Sequence, residues 1–177
     1  SMGGMIAQHV ALAAPERIES LVLMDTGHGT IELDAELAAW GLSLVRTEGM
    51  DALADVLAQI EGPLYTDAYQ RLVDANPDHK AFGDRKLRAS SAAMYAAMGT
   101  ELMSDHDRLD DVRSLSMPTL VLVGEEDVPF LGPSQRLAAA IGPARLEVVP
   151  AAGHSPQFEN PEVWEKYLFA FLDEQDA

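Results

Sequence analysis

The chain has 177 residues, of which 47% are hydrophobic, 12 are Lys or Arg and 29 are Asp or Glu, for a formal net charge of −17. That length allows one domain with a sizeable core, and the hydrophobic share excludes an intrinsically disordered chain. The acidic balance argues against nucleic acid and against anionic membrane surfaces, since both are bound by clustered Lys and Arg. There is no cysteine, so disulfides, thiolate metal sites and cysteine nucleophiles are excluded together. No apolar run approaches the roughly 20 residues of a membrane span. Residues 1–8 lack the basic start of a signal peptide, and the expected location is cytoplasmic.

Met2, Met5, Ile6, Val10 and Ala13 recur at helical spacing and predict a first helix, ended by Pro15. Residues 18–24 form a short apolar run centred on Leu21-Val22-Leu23-Met24. Such a run suits a strand buried on both faces. Asp25-Thr26-Gly27 ends it with a turn signal. From about residue 31 to residue 116 strand-like runs disappear. Helices are predicted over 33–45 and 50–60, with Gly49 and Gly62 as punctuation, and over 66–74 behind a Thr66 cap. Another is predicted from Pro77 through Met98, with Gly83 as its weak point, and 105–112 reads as an acidic turn.

Strand character returns over 119–123 and stops at Gly124-Glu125-Glu126-Asp127. A short helix over 134–141 is predicted behind Pro133. A third strand over 146–149 ends at Pro150. The last helix starts at Pro161, which suits a first helical position, and Val163, Trp164, Tyr167, Leu168, Phe171 and Leu172 make one apolar stripe on it. Strands alternating with helices imply an α/β fold with a mostly parallel sheet of three recognisable strands. Ligands of such sheets lie beyond the carboxyl ends of the strands. That rule selects Asp25, then Glu125, Glu126 and Asp127, and finally His154. An acid past one strand and a His past its neighbour can form a general base and its orienting carboxylate. Ser1, ahead of a glycine pair and a helix, is the serine placed to be a nucleophile.

These residues carry a resemblance. Ser1-Met2-Gly3-Gly4-Met5 is similar to the second half of the G-x-S-x-G nucleophile elbow of the α/β-hydrolase fold family. Gly124-Glu125-Glu126-Asp127 resembles that family's acid loop, and Gly153-His154-Ser155-Pro156 its histidine loop. The order Ser, Asp, His also agrees. The resemblance implies a partial α/β-hydrolase fold with an elbow helix and strand over 1–29, a helical cap over 30–116 and the carboxyl-terminal core over 117–177. It implies Ser1 as nucleophile, His154 as base, Asp127 as orienter with Asp25 as the rival acid, and the Met2 N–H as oxyanion donor. The Ser-Met-Gly-Gly pattern with a helical cap looks most like small-molecule esterases and enol-lactonases. The implied substrate is a small apolar ester or lactone, and no cofactor or metal is implied.

The family's first elbow glycine, its elbow strand and the loop giving a second oxyanion donor have no counterpart in the sequence. Loss of one such donor typically costs ~3–4 kcal/mol. A start on the serine fits either a piece of a longer hydrolase or a reading frame begun at Met2, with Ser1 an expression remnant. The second functional reading is therefore a non-catalytic half-domain that forms homo-oligomers through the open edge of the strand over 18–24.

Other residues have plainer readings. Glu125 and Glu126 are read as solvated acids. His28, His79 and His106 lack an i,i+4 partner of ligand type, which disfavours metal sites, including one at Asp25 and His28. His9 is read as structural, and Met94, Met98, Met103 and Tyr95 as core or cap lining.

Overall fold

Three parallel strands in the order β1-β2-β3 organise the computed structural model: β1 Leu21–Met24, β2 Thr119–Gly124 and β3 Ala144–Val149. The structure describes residues 1–30, 34–60, 64–104 and 107–175. The expectations for residues 31 and 33, for Gly62 and for Asp105 and His106 lie outside the described residues. Every residue of β2 is buried, as its unbroken apolar run requires. The register pairs Leu23 with Val121 and Val121 with Leu146. Alternate side chains then enter two cores. Leu21, Leu23 and Val121 pack with Ala11, Leu137 and Ile141 on one face. Leu120 and Leu122 pack with Phe171, Trp164 and Tyr167 on the other.

Helix α1, Met2–Ala13, and helix α7, Val128–Ala140, cover the first face, and α9, Pro161–Gln175, covers the second. The intervening segment contains α2 Ala35–Glu48, α3 Met50–Leu57, α4 Asp67–Ala75, α5 Pro77–Arg88 and α6 Ala92–Ser104. Among the described residues of this segment there is no strand, and Val45, Met50, Leu53 and Ala96 form a separate small core. Tyr95 packs against that core, while Met94 is 48% exposed. Thr66 caps α4 as expected, its Oγ1 accepting the Tyr69 N–H at 3.1 Å.

Several elements differ from expectation. The strand predicted over 18–24 begins at Leu21, because Pro15–Arg17 form a 3₁₀ turn whose end donates from Ile18 N–H to the Pro15 carbonyl. The single helix predicted from Pro77 to Met98 breaks at Ser90-Ser91 and not at Gly83. There the Ser91 hydroxyl accepts the Met94 N–H and starts α6. Helix α7 begins at Val128 and not at Ser134, since Pro129 occupies its first turn, where a missing N–H costs no helical bond. Pro133 consequently lies inside α7. A short helix α8, Pro156–Glu159, precedes α9 and was not anticipated.

Candidate functional site

The three strand-end loops converge. β1 ends at Asp25, whose φ of 45° is a left-handed conformation that Asp tolerates better than most side chains. Its N–H continues the ladder by donating to the Leu122 carbonyl at 2.9 Å, and its Oδ1 accepts the Gly124 N–H at 2.9 Å. β2 ends at Gly124 for a steric reason. A Cβ there would sit 2.1 Å from the Gly153 carbonyl oxygen and 2.4 Å from that of Ala152. This contact brings the acid loop against the histidine loop.

Asp127 and His154 meet across it. His154 Nδ1 and Asp127 Oδ2 are 2.9 Å apart, with Asp127 buried and the His154 side chain 17% exposed. The carboxylate fixes the tautomer with the proton on Nδ1 and turns Nε2 away from the acid. Phe130 of α7 lies against the imidazole, with ring centres 4.8 Å apart. Glu159 of α8 holds the loop itself, its Oε2 accepting the Gly153 N–H at 2.6 Å and the Ser155 N–H at 3.2 Å. Burial raises the Glu159 carboxyl above its ordinary pKa, against those two donors. Sequence reasoning missed this residue; the available signal was an acid one turn beyond the Gly-His-Ser loop.

Glu125 is exposed, as expected, but Glu126 is half-buried and is not the solvated acid expected. Glu126 accepts the Ala68 N–H at the start of α4 at 2.6 Å and pairs with Arg71 at 2.7 Å. Partial burial works against its charge, but the Arg71 guanidinium and the Ala68 N–H outweigh it and hold the carboxyl below its usual range. Arg71 also donates to the Ala151 carbonyl at 3.2 Å, so α4 is tied to both loops. Glu125 accepts the Ala151 N–H at 3.0 Å.

Asp25 is buried beside this pair. Burial pushes its carboxyl up to about 8, against the Gly124 N–H, and the Asp127 charge adds to the rise. One ligand-type atom from each of Asp25, Asp127 and His154 lies within 4.8 Å of the others, the cluster of described residues best placed to meet a cation. With Nδ1 carrying the hydrogen shared with Asp127, that ring nitrogen has no lone pair to offer, and the arrangement suits proton transfer.

Ser1 caps α1 with its backbone and makes no side-chain cap bond. Its nitrogen donates to the Met24 carbonyl at 2.7 Å, and its carbonyl accepts the Thr26 hydroxyl at 2.8 Å. Burial lowers the pKa of the Ser1 α-amino group, partly offset by the charges of Asp25 and Asp127. Met2 is the first residue of α1, so its N–H is one of the free donors of a helix start. Of the glycine pair, Gly4 is sterically required, since a Cβ there would lie 2.7 Å from the Thr26 side chain, whereas Gly3 faces open space.

A cavity of about 850 Å³ is lined by Phe130 together with Val128, Pro133, His28 and Arg136; neither Asp127 nor His154 belongs to its wall, and Phe130 is the side chain that links the two. His28 is bonded on both nitrogens, to Asp107 at 2.7 Å and to Arg136 at 2.9 Å. His9 meets the buried Arg108 at 2.9 Å, in keeping with a structural part. His79 packs edge-on against Tyr69 and Phe158.

Residues 1–161 match the α/β hydrolase fold family. The chain is 32% identical to a 2-hydroxymuconate semialdehyde hydrolase of Pseudomonas putida, covering 100% of this chain and 62% of that protein. It superposes with a TM-score of 0.81 on an enol-lactonase from Burkholderia xenovorans LB400, at 27% identity over 98% of this chain and 63% of that one. A thermophilic esterase from Thermogutta terrifontis gives a TM-score of 0.83 at 25% identity, over 100% of this chain and 64% of that one. The chain therefore spans less than two thirds of the length of these relatives. No helix among the described residues is long and apolar enough to cross a membrane.

Proposed function

The chain belongs to the α/β-hydrolase fold family, and from that premise we propose that these residues by themselves are a catalytically incompetent half-domain that associates with a second copy through the open edge of β1. The observation that carries this reading is that edge. Leu21 and Asp25 direct their N–H groups to β2, so those of Val22 and Met24 face outward, and the Met24 carbonyl is met by the Ser1 nitrogen at 2.7 Å. An unpaired apolar strand of this kind favours pairing with another chain. One oxyanion donor, the Met2 N–H, is too few for efficient acyl transfer.

Within a longer polypeptide the same site would hydrolyse a small apolar ester or lactone by a Ser-His-Asp mechanism. His154, held through Nδ1 by Asp127, accepts the Ser1 hydroxyl proton at Nε2 as Ser1 attacks the carbonyl. The Met2 N–H stabilises the oxyanion, the imidazolium returns the proton to the leaving alcohol, and water then releases the acyl group. Support for the substrate class comes from the apolar wall of Val128, Phe130 and Pro133 and from the similarity to an esterase and an enol-lactonase. On this reading residues 30–116 are the cap, residues 1–29 and 117–177 belong to the core, and the cysteine-free chain works in the cytoplasm.

A p-nitrophenyl ester assay with light scattering tests the proposal. The expected result is no turnover and a particle of at least twice the monomer mass at tens of micromolar. Turnover that a serine-directed phosphonate abolishes, from a clean monomer, would overturn the half-domain reading. In a longer active form, His154→Ala that kept full turnover would overturn the triad.

A further inference from the structure

The oxygens of two buried carboxyl groups can be accounted for one by one. Asp25 Oδ1 accepts the Gly124 N–H, and Asp127 Oδ2 is bonded to His154 Nδ1, each at 2.9 Å. Asp25 Oδ2 and Asp127 Oδ1 are buried and have no donor. Both residues are 1% exposed. One oxygen of each carboxyl group lies within 4.8 Å of the other and of a His154 ring nitrogen. Two ionised carboxylates here would leave two buried acceptors without donors and would set like charges side by side in a poorly solvated place. A single proton between the leftover oxygens removes both problems.

We infer that Asp25 is held as the neutral acid and donates from Oδ2 to Asp127 Oδ1, so that the carboxylate orienting His154 is fixed by both of its oxygens. Asp25 is then a positioning residue, acting through Asp127, and no longer a rival for the imidazole. Its functional meaning rests on the proposed role of Asp127, whereas the shared proton does not depend on turnover. The groups facing the pair are His154 from the loop after β3, the Ser1 α-amino group from the start of α1 and, toward Asp127, Glu159 from α8; the charge of the Ser1 amine opposes the neutral acid and is outweighed by burial and by the Asp127 charge. The Gly124 N–H satisfies the Asp25 oxygen that keeps no hydrogen.

The sign of the pH dependence follows. Asp25 titrates near 8 in the folded chain against an ordinary value of 3.8, so the folded state holds a proton that the unfolded state releases. The stability this group contributes is complete below about pH 4 and is lost as the pH rises toward 8. Asp25→Asn copies the neutral acid, with an amide oxygen for Gly124 and an N–H for Asp127, and does not titrate.

The test is thermal unfolding of wild type and D25N between pH 4 and 9, with carboxyl carbon NMR of both. The expected result is a Tm for wild type that falls relative to D25N across that range and levels off above pH 8. One Asp carboxyl resonance should titrate near 8 and be missing in D25N. Parallel Tm curves, or all Asp carboxyls titrating below about pH 5, would overturn the shared proton. The downfield Nδ1–H resonance of His154 should persist in D25N and shift or vanish in D25A. A signal unchanged in D25A would overturn the positioning role, and the D25N curves decide the matter should D25A fail to fold. None of these readouts uses ester turnover, so an inactive chain leaves the inference standing.

Discussion

The two outer strands of the sheet are built differently. β3 has the composition of a natural edge: five of its six residues are half-buried, and it carries Arg145 and Glu147. Arg145 bonds Glu174 at 2.9 Å, lies 3.4 Å from Glu147 and stacks over Phe171. Charged side chains of this kind keep an edge from pairing. β1 has no charged residue between Leu21 and Met24, with Leu21 6% and Leu23 0% exposed. It has the make-up of an interior strand although β2 is its only neighbour among the described strands. The contrast shows that position in a sheet and composition of a strand are separate facts, and that their disagreement marks a surface suited to a further strand.

Substitutions can break this comparison. The largest effect is expected for Leu23→Ala, which should cost about 2–5 kcal/mol as a fully buried leucine, against about 1 kcal/mol for the half-exposed Leu146→Ala on β3. Equal losses in denaturant melts would mean that β1 is no more interior than β3. Next in size, Val22→Lys puts a charge on the open edge and should weaken self-association by at least about tenfold, or ~1.4 kcal/mol. Sedimentation showing an unchanged mass would place the contact elsewhere. The smallest effect is expected for Arg145→Ala. It should change stability by no more than about 1 kcal/mol, because its ion pairs are partly exposed, and should leave the mass unaltered.

Legibility in the sequence followed the range of the interactions involved. The run at 119–123 announced a buried strand because four consecutive β-prone apolar residues follow Thr119. Position past a strand end selected Asp25, Glu125, Glu126, Asp127 and His154, and the structure brings Asp127 and His154 to 2.9 Å. Ile18 misled because apolar character is the same in a strand and in the end of a 3₁₀ turn. The proline-rich start of α7 has the look of a loop, and only the placement of Pro129 in the first turn reconciles it with a helix. Glu126 and Glu159 were illegible for a different reason. Their partners, Arg71 with Ala68 and the Gly153 and Ser155 amides, come from segments docked by the tertiary fold or from a loop whose bend no local pattern specifies. Asp25 was visible as a residue, but its protonation depends on a neighbour 102 positions away in Asp127, whose second oxygen needs a donor.

Gly124 has a consequence for mutational tolerance and for timing. Backbone meets backbone there, so the spacing of the acid and histidine loops is set without any rotatable side chain. The conformational entropy of aligning Asp127 with His154 is therefore spent when the chain folds and not again when a ligand arrives. Even a single added methyl group at this position would wedge the loops apart, making it a place where the smallest possible change in volume disables the alignment of two residues it never touches.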